Sequence, residues 1–296
     1  MMSFPMDLLS PSDRLAEHRY QKLLRLQPEF VWREFGDGEV LKARVFFPPE
    51  HKSEDSVPGV VFFHGGLWSS YNVVEFVPWA LHLVSRGVAC ILPEYRMPVN
   101  YDVAPRDILY EARELWAWVR SNAVELGMDP SRITVAGSDV GGLMALHVAL
   151  PDVPKRRRWF RKAPPLPPGP ACVALFRGIV DTDARIADRV LHGMNEEERK
   201  ALSPSRRLRK GLPPLFASHG GQDRMISARM TEEFCREWTK KKNVGHYAYL
   251  DLADHSYYHF NVNARYFEFL LSEWDTFMVE QGIWEEDDGV DNVLLS

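Results

Sequence analysis

The sequence predicts an α/β fold, a mostly parallel central sheet with helices on both faces, and three observations carry that prediction. Short, nearly continuous apolar runs alternate with amphipathic segments along most of the chain. One segment places Ile108, Ala112, Leu115 and Val119 at spacings of four, three and four, a single stripe on a helix. A third segment, DPSRITVAGSDVGGLMALHVAL, reads as a strand, a glycine-bounded turn and a helix.

Taken in order, Ser12 to Leu26 reads as a helix, and Glu29 to Phe47 as two strands of a hairpin or meander turning at Gly36 to Gly38. The core strands follow. VPGVVFF ends at His64, VACILPEY follows Gly87, RITVAG runs into position 138, and CVALFRGIV ends before Asp181; PPLFASHG precedes Asp223 and GHYAYLDL precedes His255. Runs without apolar/polar alternation suit parallel strands buried on both faces. Phe267, Leu270, Leu271, Trp274 and Met278 give a last helix that docks on the core.

With 296 residues, 45% of them hydrophobic and 26% charged, the chain can fill one large core. The expected organisation is one domain over 1–283, with lid elements at about 1–28 and 151–170, and an acidic, disordered tail over 284–296. The 151–170 segment joins basic residues, Trp159 and Phe160 to clustered prolines and reads as a solvated loop. A net charge of -5 gives no reason to expect a nucleic-acid partner. The N-terminus lacks a secretory signal, so the cytoplasm is the expected compartment, and no apolar stretch approaches the ~20 residues that span a bilayer. Cys90, Cys172 and Cys235 have neither metal nor disulfide spacing and read as buried free thiols. No ligand cluster or phosphate-cradling loop implies a metal or cofactor, the expected partner is a small-molecule substrate, and the oligomeric state stays open.

Three motifs carry chemistry. FFHGGLWSS follows the first core strand, EYRMPVNYDVAPRDILYEARELWAWV follows the second, and the strand–turn–helix segment contains Gly137, Gly141 and Gly142. Together they resemble the α/β-hydrolase superfamily, in particular the small esterases related to hormone-sensitive lipase and to bacterial acetyl and feruloyl esterases. The resemblance covers roughly residues 56 to 280. It implies an α/β-hydrolase fold with an oxyanion hole of backbone N–H groups at Gly66, Leu67 and Val140. It also implies a nucleophile at the elbow, a triad acid at Asp223 and a catalytic histidine at His255, in that chain order. The elbow residue here is Asp139, with Ser138 one place earlier. An elbow projects only its central residue, so Asp139 rather than Ser138 is the expected reactive group.

A serine at the elbow needs its histidine as a base, whereas a carboxylate is ordinarily ionised at neutral pH. Carboxylate nucleophiles in this superfamily, those of epoxide hydrolases and haloalkane dehalogenases, attack saturated carbon and form an alkyl ester. His255, oriented by Asp223, would then activate water to hydrolyse it. The expected function is therefore an epoxide-hydrolase-like hydrolase. The alternatives are a lyase, isomerase or cyclase with Asp139 as general base, or a carboxylesterase-like protein with lost or altered esterase activity. Val140 stands where dehalogenases place a halide-binding tryptophan. Trp68, Tyr71, Tyr257 and Tyr258 are the candidates for contact with substrate.

Overall fold

The computed structural model describes residues 16–36, 38–68, 72–98, 100–150, 168–182 and 186–286. After helix α1 (Ala16–Arg25) come β1 (Glu29–Glu34), β2 (Val40–Phe46), β3 (Val57–Phe63), a 3-10 turn (Val73–Phe76), α2 (Val77–Ser85) and β4 (Ala89–Pro93). They continue with α3 (Pro105–Asn122), β5 (Met128–Ser138), α4 (Asp139–Ala149), β6 (Val173–Phe176), α5 (Ala187–Val190) and α6 (Glu196–Leu202). The last elements are β7 (Leu215–Gly220), α7 (Ala228–Lys240), β8 (Gly245–Leu250) and α8 (Ala264–Glu280).

The strands form one sheet in the order β1-β2-β4-β3-β5-β6-β7-β8. β2 pairs antiparallel with β1 and β4, and every pair from β4 to β8 is parallel. Successive residues of a strand face opposite sides of the sheet, so Val61 and Phe63 join a core with α3, α4 and α7, while Val60 and Phe62 join one with α1, α2 and α8. The predicted parallel sheet with helices on both faces is therefore the observed architecture, and the three cysteines are buried free thiols.

Trp274 of α8 organises the second core. Its ring meets those of Phe62, Trp79, Phe176 and Phe216, and beyond the helix Trp284 closes on it at 5.2 Å. Here the structure departs from the expected boundary. Trp284, assigned to the acidic tail, is buried, because its indole packs into this aromatic cluster while Glu285 and Glu286 stay exposed. Residues 287–296 of that tail, 1–15 of the first lid element and 151–167 of the second lie outside the described residues. The remainder of the first lid element, α1, buries Tyr20 and Leu24 in the core shared with α2 and α8.

The parallel strands end on one edge of the sheet. Loops there carry His64 to Trp68 after β3, Asp139 after β5, Arg177 after β6, Asp223 after β7 and His255 after β8. The carboxyl ends of parallel strands are where open α/β sheets place their sites. The turn between β5 and α4 brings backbones into contact. A Cβ on Gly141 would lie 2.0 Å from the Phe63 carbonyl oxygen, so only glycine lets α4 start against β3.

Candidate active site

Asp139 begins α4 with φ 47°, the left-handed backbone of a strand-to-helix elbow, and it is buried. Its carbonyl accepts a hydrogen bond from Ile179 N–H at 2.9 Å, which ties the elbow to the segment after β6. Ser138, in extended conformation, turns its hydroxyl to Glu75: it donates to Glu75 Oε1 at 2.6 Å and is fully buried. The elbow thus presents the carboxylate, and the neighbouring serine is committed to another acid.

Asp223 and His255 lie together beside it. Asp223 Oδ1 accepts from the N–H groups of Met225 and Ile226 at 2.7 and 3.0 Å, and Oδ2 accepts from His255 Nδ1 at 2.8 Å. His219 Nε2 stands 3.3 Å from the same Oδ2. Burial pushes the Asp223 carboxyl up, but the bonds from His219, His255 and the Ile226 amide outweigh it and hold the group far below the usual aspartate range. An anion fixed in this way directs the His255 Nδ1 proton toward itself and leaves Nε2 facing the elbow, 3.7 Å from Asp139 Oδ1. His259, the other histidine of this loop, instead lies against the Tyr258 ring at 4.2 Å, and burial pushes it down to about 3.

The two carboxylate oxygens of Asp139 have different surroundings. Oδ2 accepts from Gly66 N–H at 3.3 Å and from Arg177 Nη2 at 3.2 Å. Oδ1 is buried and has no hydrogen-bond partner among the described residues. Gly65 must be bare for this approach, since a Cβ there would lie 2.7 Å from Oδ2. Its own N–H donates to Glu75 Oε1 at 2.7 Å. Leu67 and Trp68 follow with φ 52° and 56°, an unusual pair of left-handed non-glycine residues. Val140 is buried in the first turn of α4.

The tyrosines differ from expectation. The Tyr257 hydroxyl is bonded to Ser218 Oγ at 2.8 Å, and that of Tyr258 accepts from Arg177 and donates to Glu75 Oε2 at 3.0 Å. Both rings are buried, and these hydroxyls are held in internal hydrogen bonds. Trp68 is buried in the core with α3, its Nε1 without a partner among the described residues. Tyr71 lies outside the described residues.

Two residues that the motif reading missed complete the site. Arg177, at φ 49°, bridges Asp139 and the Tyr258 hydroxyl, with its guanidinium carbon 4.6 Å from the Tyr258 ring centre. Glu75 collects four donors: Gly65 N–H, Ser138 Oγ, Tyr258 OH and Asn72 Nδ2. The signal for Arg177 was a cation inside the apolar run CVALFRGIV. That for Glu75 was an acid flanked by VV and FV.

Arg177 thus bonds Asp139 directly and reaches Glu75 through the Tyr258 hydroxyl, all of them buried. Burial, reinforced by the charge of Asp139, pushes the Glu75 carboxyl up to about 7 despite Arg177, Ser138 and the Gly65 amide. The unfolded carboxyl releases its proton near 4.5 and the folded one near 7, so the stability this group contributes is complete below 4.5 and lost as pH rises through 7. That difference corresponds to roughly 3 kcal/mol. Glu75→Gln should flatten the pH dependence of thermal unfolding between about pH 5 and 8. Equal slopes in wild type and variant would show that Glu75 does not titrate there.

The sheet order, the elbow between β5 and α4 and the acid and histidine after β7 and β8 define a class. The chain belongs to the alpha/beta hydrolase fold family, which it matches over residues 60–209. Carboxylesterase NlhH of Mycobacterium tuberculosis is 30% identical over 207 residues, 62% of this chain and 61% of that protein. An ethyl acetate hydrolase of Pseudomonas putida is 28% identical over 121 residues, 38% of this chain and 35% of that one. The chain thus spans about three-fifths, 61%, of the length of the first of these relatives. Among solved structures, Thermogutta terrifontis esterase 2 phosphoramylated by tabun superposes with a TM-score of 0.77 at 25% identity, over 89% of this chain and 98% of that one.

Proposed function

We propose that the protein is a hydrolase that opens a small organic electrophile of the epoxide type through an ester on Asp139. The observation that carries this reading is the asymmetry of the Asp139 carboxylate. Oδ2 is held by Gly66 N–H and Arg177, and Oδ1, without a partner, lies 3.7 Å from His255 Nε2. Oδ1 therefore keeps its lone pairs for attack, while Oδ2 already occupies a donor-lined position.

In the first half-reaction, Oδ1 bonds to the substrate carbon, and the ring C–O pair leaves on the epoxide oxygen, which takes a proton from solvent. In the second, water attacks Cγ and gives its proton to His255 Nε2, which Asp223 orients and stabilises as it becomes charged. The C=O pair moves onto Oδ2 and then returns. The alkyl oxygen leaves with the proton from His255, giving the diol, and Asp139 loses the remaining proton to solvent.

Similarity to carboxylesterases favours a second reading, ester hydrolysis. Two features of the site oppose it: the carbonyl oxygen of a bound ester would need the position that Oδ2 holds, and Ser138 is bonded to Glu75. Initial rates on small epoxides and on nitrophenyl acetate separate the two. The proposal expects diol formation with little nitrophenol release; rapid nitrophenol release without diol from any epoxide would favour the esterase.

A further inference from the structure

We propose that Arg177 is a catalytic residue, the charged donor that receives the oxyanion when the Asp139 ester is hydrolysed. This rests on the reading of Asp139 as nucleophile and adds a group that the family's motif does not supply. The motif points to backbone N–H groups alone, those of Gly66, Leu67 and Val140, and of these the Gly66 N–H bonds Oδ2. Gly66 N–H and Arg177 Nη2 reach Oδ2 at 3.3 and 3.2 Å, the first of these long for an amide hydrogen bond.

The guanidinium is set in place before any reaction. Its backbone N–H donates to Ser218 O at 2.9 Å, it lies over the Tyr258 ring, and Nη2 is shared between Asp139 and the Tyr258 hydroxyl. Arg177 is 4% exposed, and its Nε and Nη1 have no partner among the described residues. A cation buried with spare donors is costly if its only task is to neutralise one carboxylate. A fixed donor aimed at the atom where charge develops is what stabilises a tetrahedral intermediate.

A catalytic Arg177 acts with opposite sign on the two half-reactions, as a structural one does not. Asp139 attacks as an anion in this reading, so Arg177, bonded to Oδ2, stabilises that charge and holds back the attack. Alkylation removes that charge, and the second intermediate returns it to Oδ2. Arg177 should therefore hinder the first half-reaction slightly and speed the second. Loss of its charge should leave ester formation as fast or faster and slow ester decay on the order of 10²–10³-fold.

The test is rapid-quench mass analysis of the Asp139 peptide during turnover of an epoxide by wild type, Arg177→Gln and Arg177→Lys. Arg177→Gln leaves a buried carboxylate without its cation and risks unfolding. Arg177→Lys keeps the charge but loses the two-sided bond to Asp139 and Tyr258, so it tests the same split, with a smaller effect, in a folded protein. The expected result is adduct accumulation in both variants, more in the glutamine variant. Decay at the wild-type rate in a folded variant, or formation and decay slowed equally, overturns the role of Arg177 alone. A His255→Gln protein that forms no adduct from any epoxide overturns the Asp139 reading, and this assignment with it.

Discussion

Asp139→Asn should lower epoxide turnover by about 10⁴-fold or more, the scale of losing a covalent nucleophile. The amide has the shape of the carboxylate and can still accept from Arg177 and Gly66, so the fold should survive with a modest loss of thermal stability. That separation gives the experiment its force. A folded, inactive asparagine variant locates the loss in chemistry; one with more than about a tenth of wild-type activity would remove Asp139 from the reaction. Asp139→Ser belongs beside it. Removing the carboxylate vacates the position facing Gly66 N–H and Arg177 Nη2, leaving both for an ester oxygen, with His255 and Asp223 still paired. A gain of nitrophenyl acetate hydrolysis is the expected result, and no gain in a folded variant would mean that these donors cannot serve an ester.

His255→Gln should divide the reaction at its midpoint. Oδ1 needs no base to attack, so the ester should still form, while water attack on Cγ loses its proton acceptor and slows by roughly 10²–10⁴-fold. The whole protein population should then gain the mass of one substrate, on the peptide containing Asp139. This outcome depends on the order of events and not on rate alone. A general-base role for Asp139 yields no adduct in either protein.

The backbone of this arrangement was legible in the sequence because doubly buried strands leave continuous apolar runs and because close backbone contact leaves glycines. Gly141 marked the elbow through its approach to Phe63, and Asp223 and His255 followed in the order that the family uses. What was not legible depends on side-chain direction and on approach between distant segments. Ser138 and Asp139 are adjacent, yet one hydroxyl meets Glu75 and the other group faces His255. Tyr257 and Tyr258 follow His255 closely enough to suggest contact with substrate, but both turn into the core, toward Ser218 and Arg177. Arg177 passed unmarked inside the run CVALFRGIV; its place just past the end of β6, against Asp139 and Tyr258, shows why a cation belongs there. Trp284 was obscured by the acidic residues after it, although one indole against Trp274 decides its position.

The central claim is that an oxygen of Asp139 bonds to substrate carbon and is replaced from water. A single turnover of an epoxide by excess wild-type enzyme in oxygen-18 water, followed by mass analysis of the peptide containing Asp139, tests it most directly. The account predicts that the label enters the Asp139 carboxylate and that the first diol carries the unlabelled enzyme oxygen. Clean turnover with all of the label in the diol and none in Asp139 would contradict it, because water would then have attacked the substrate directly.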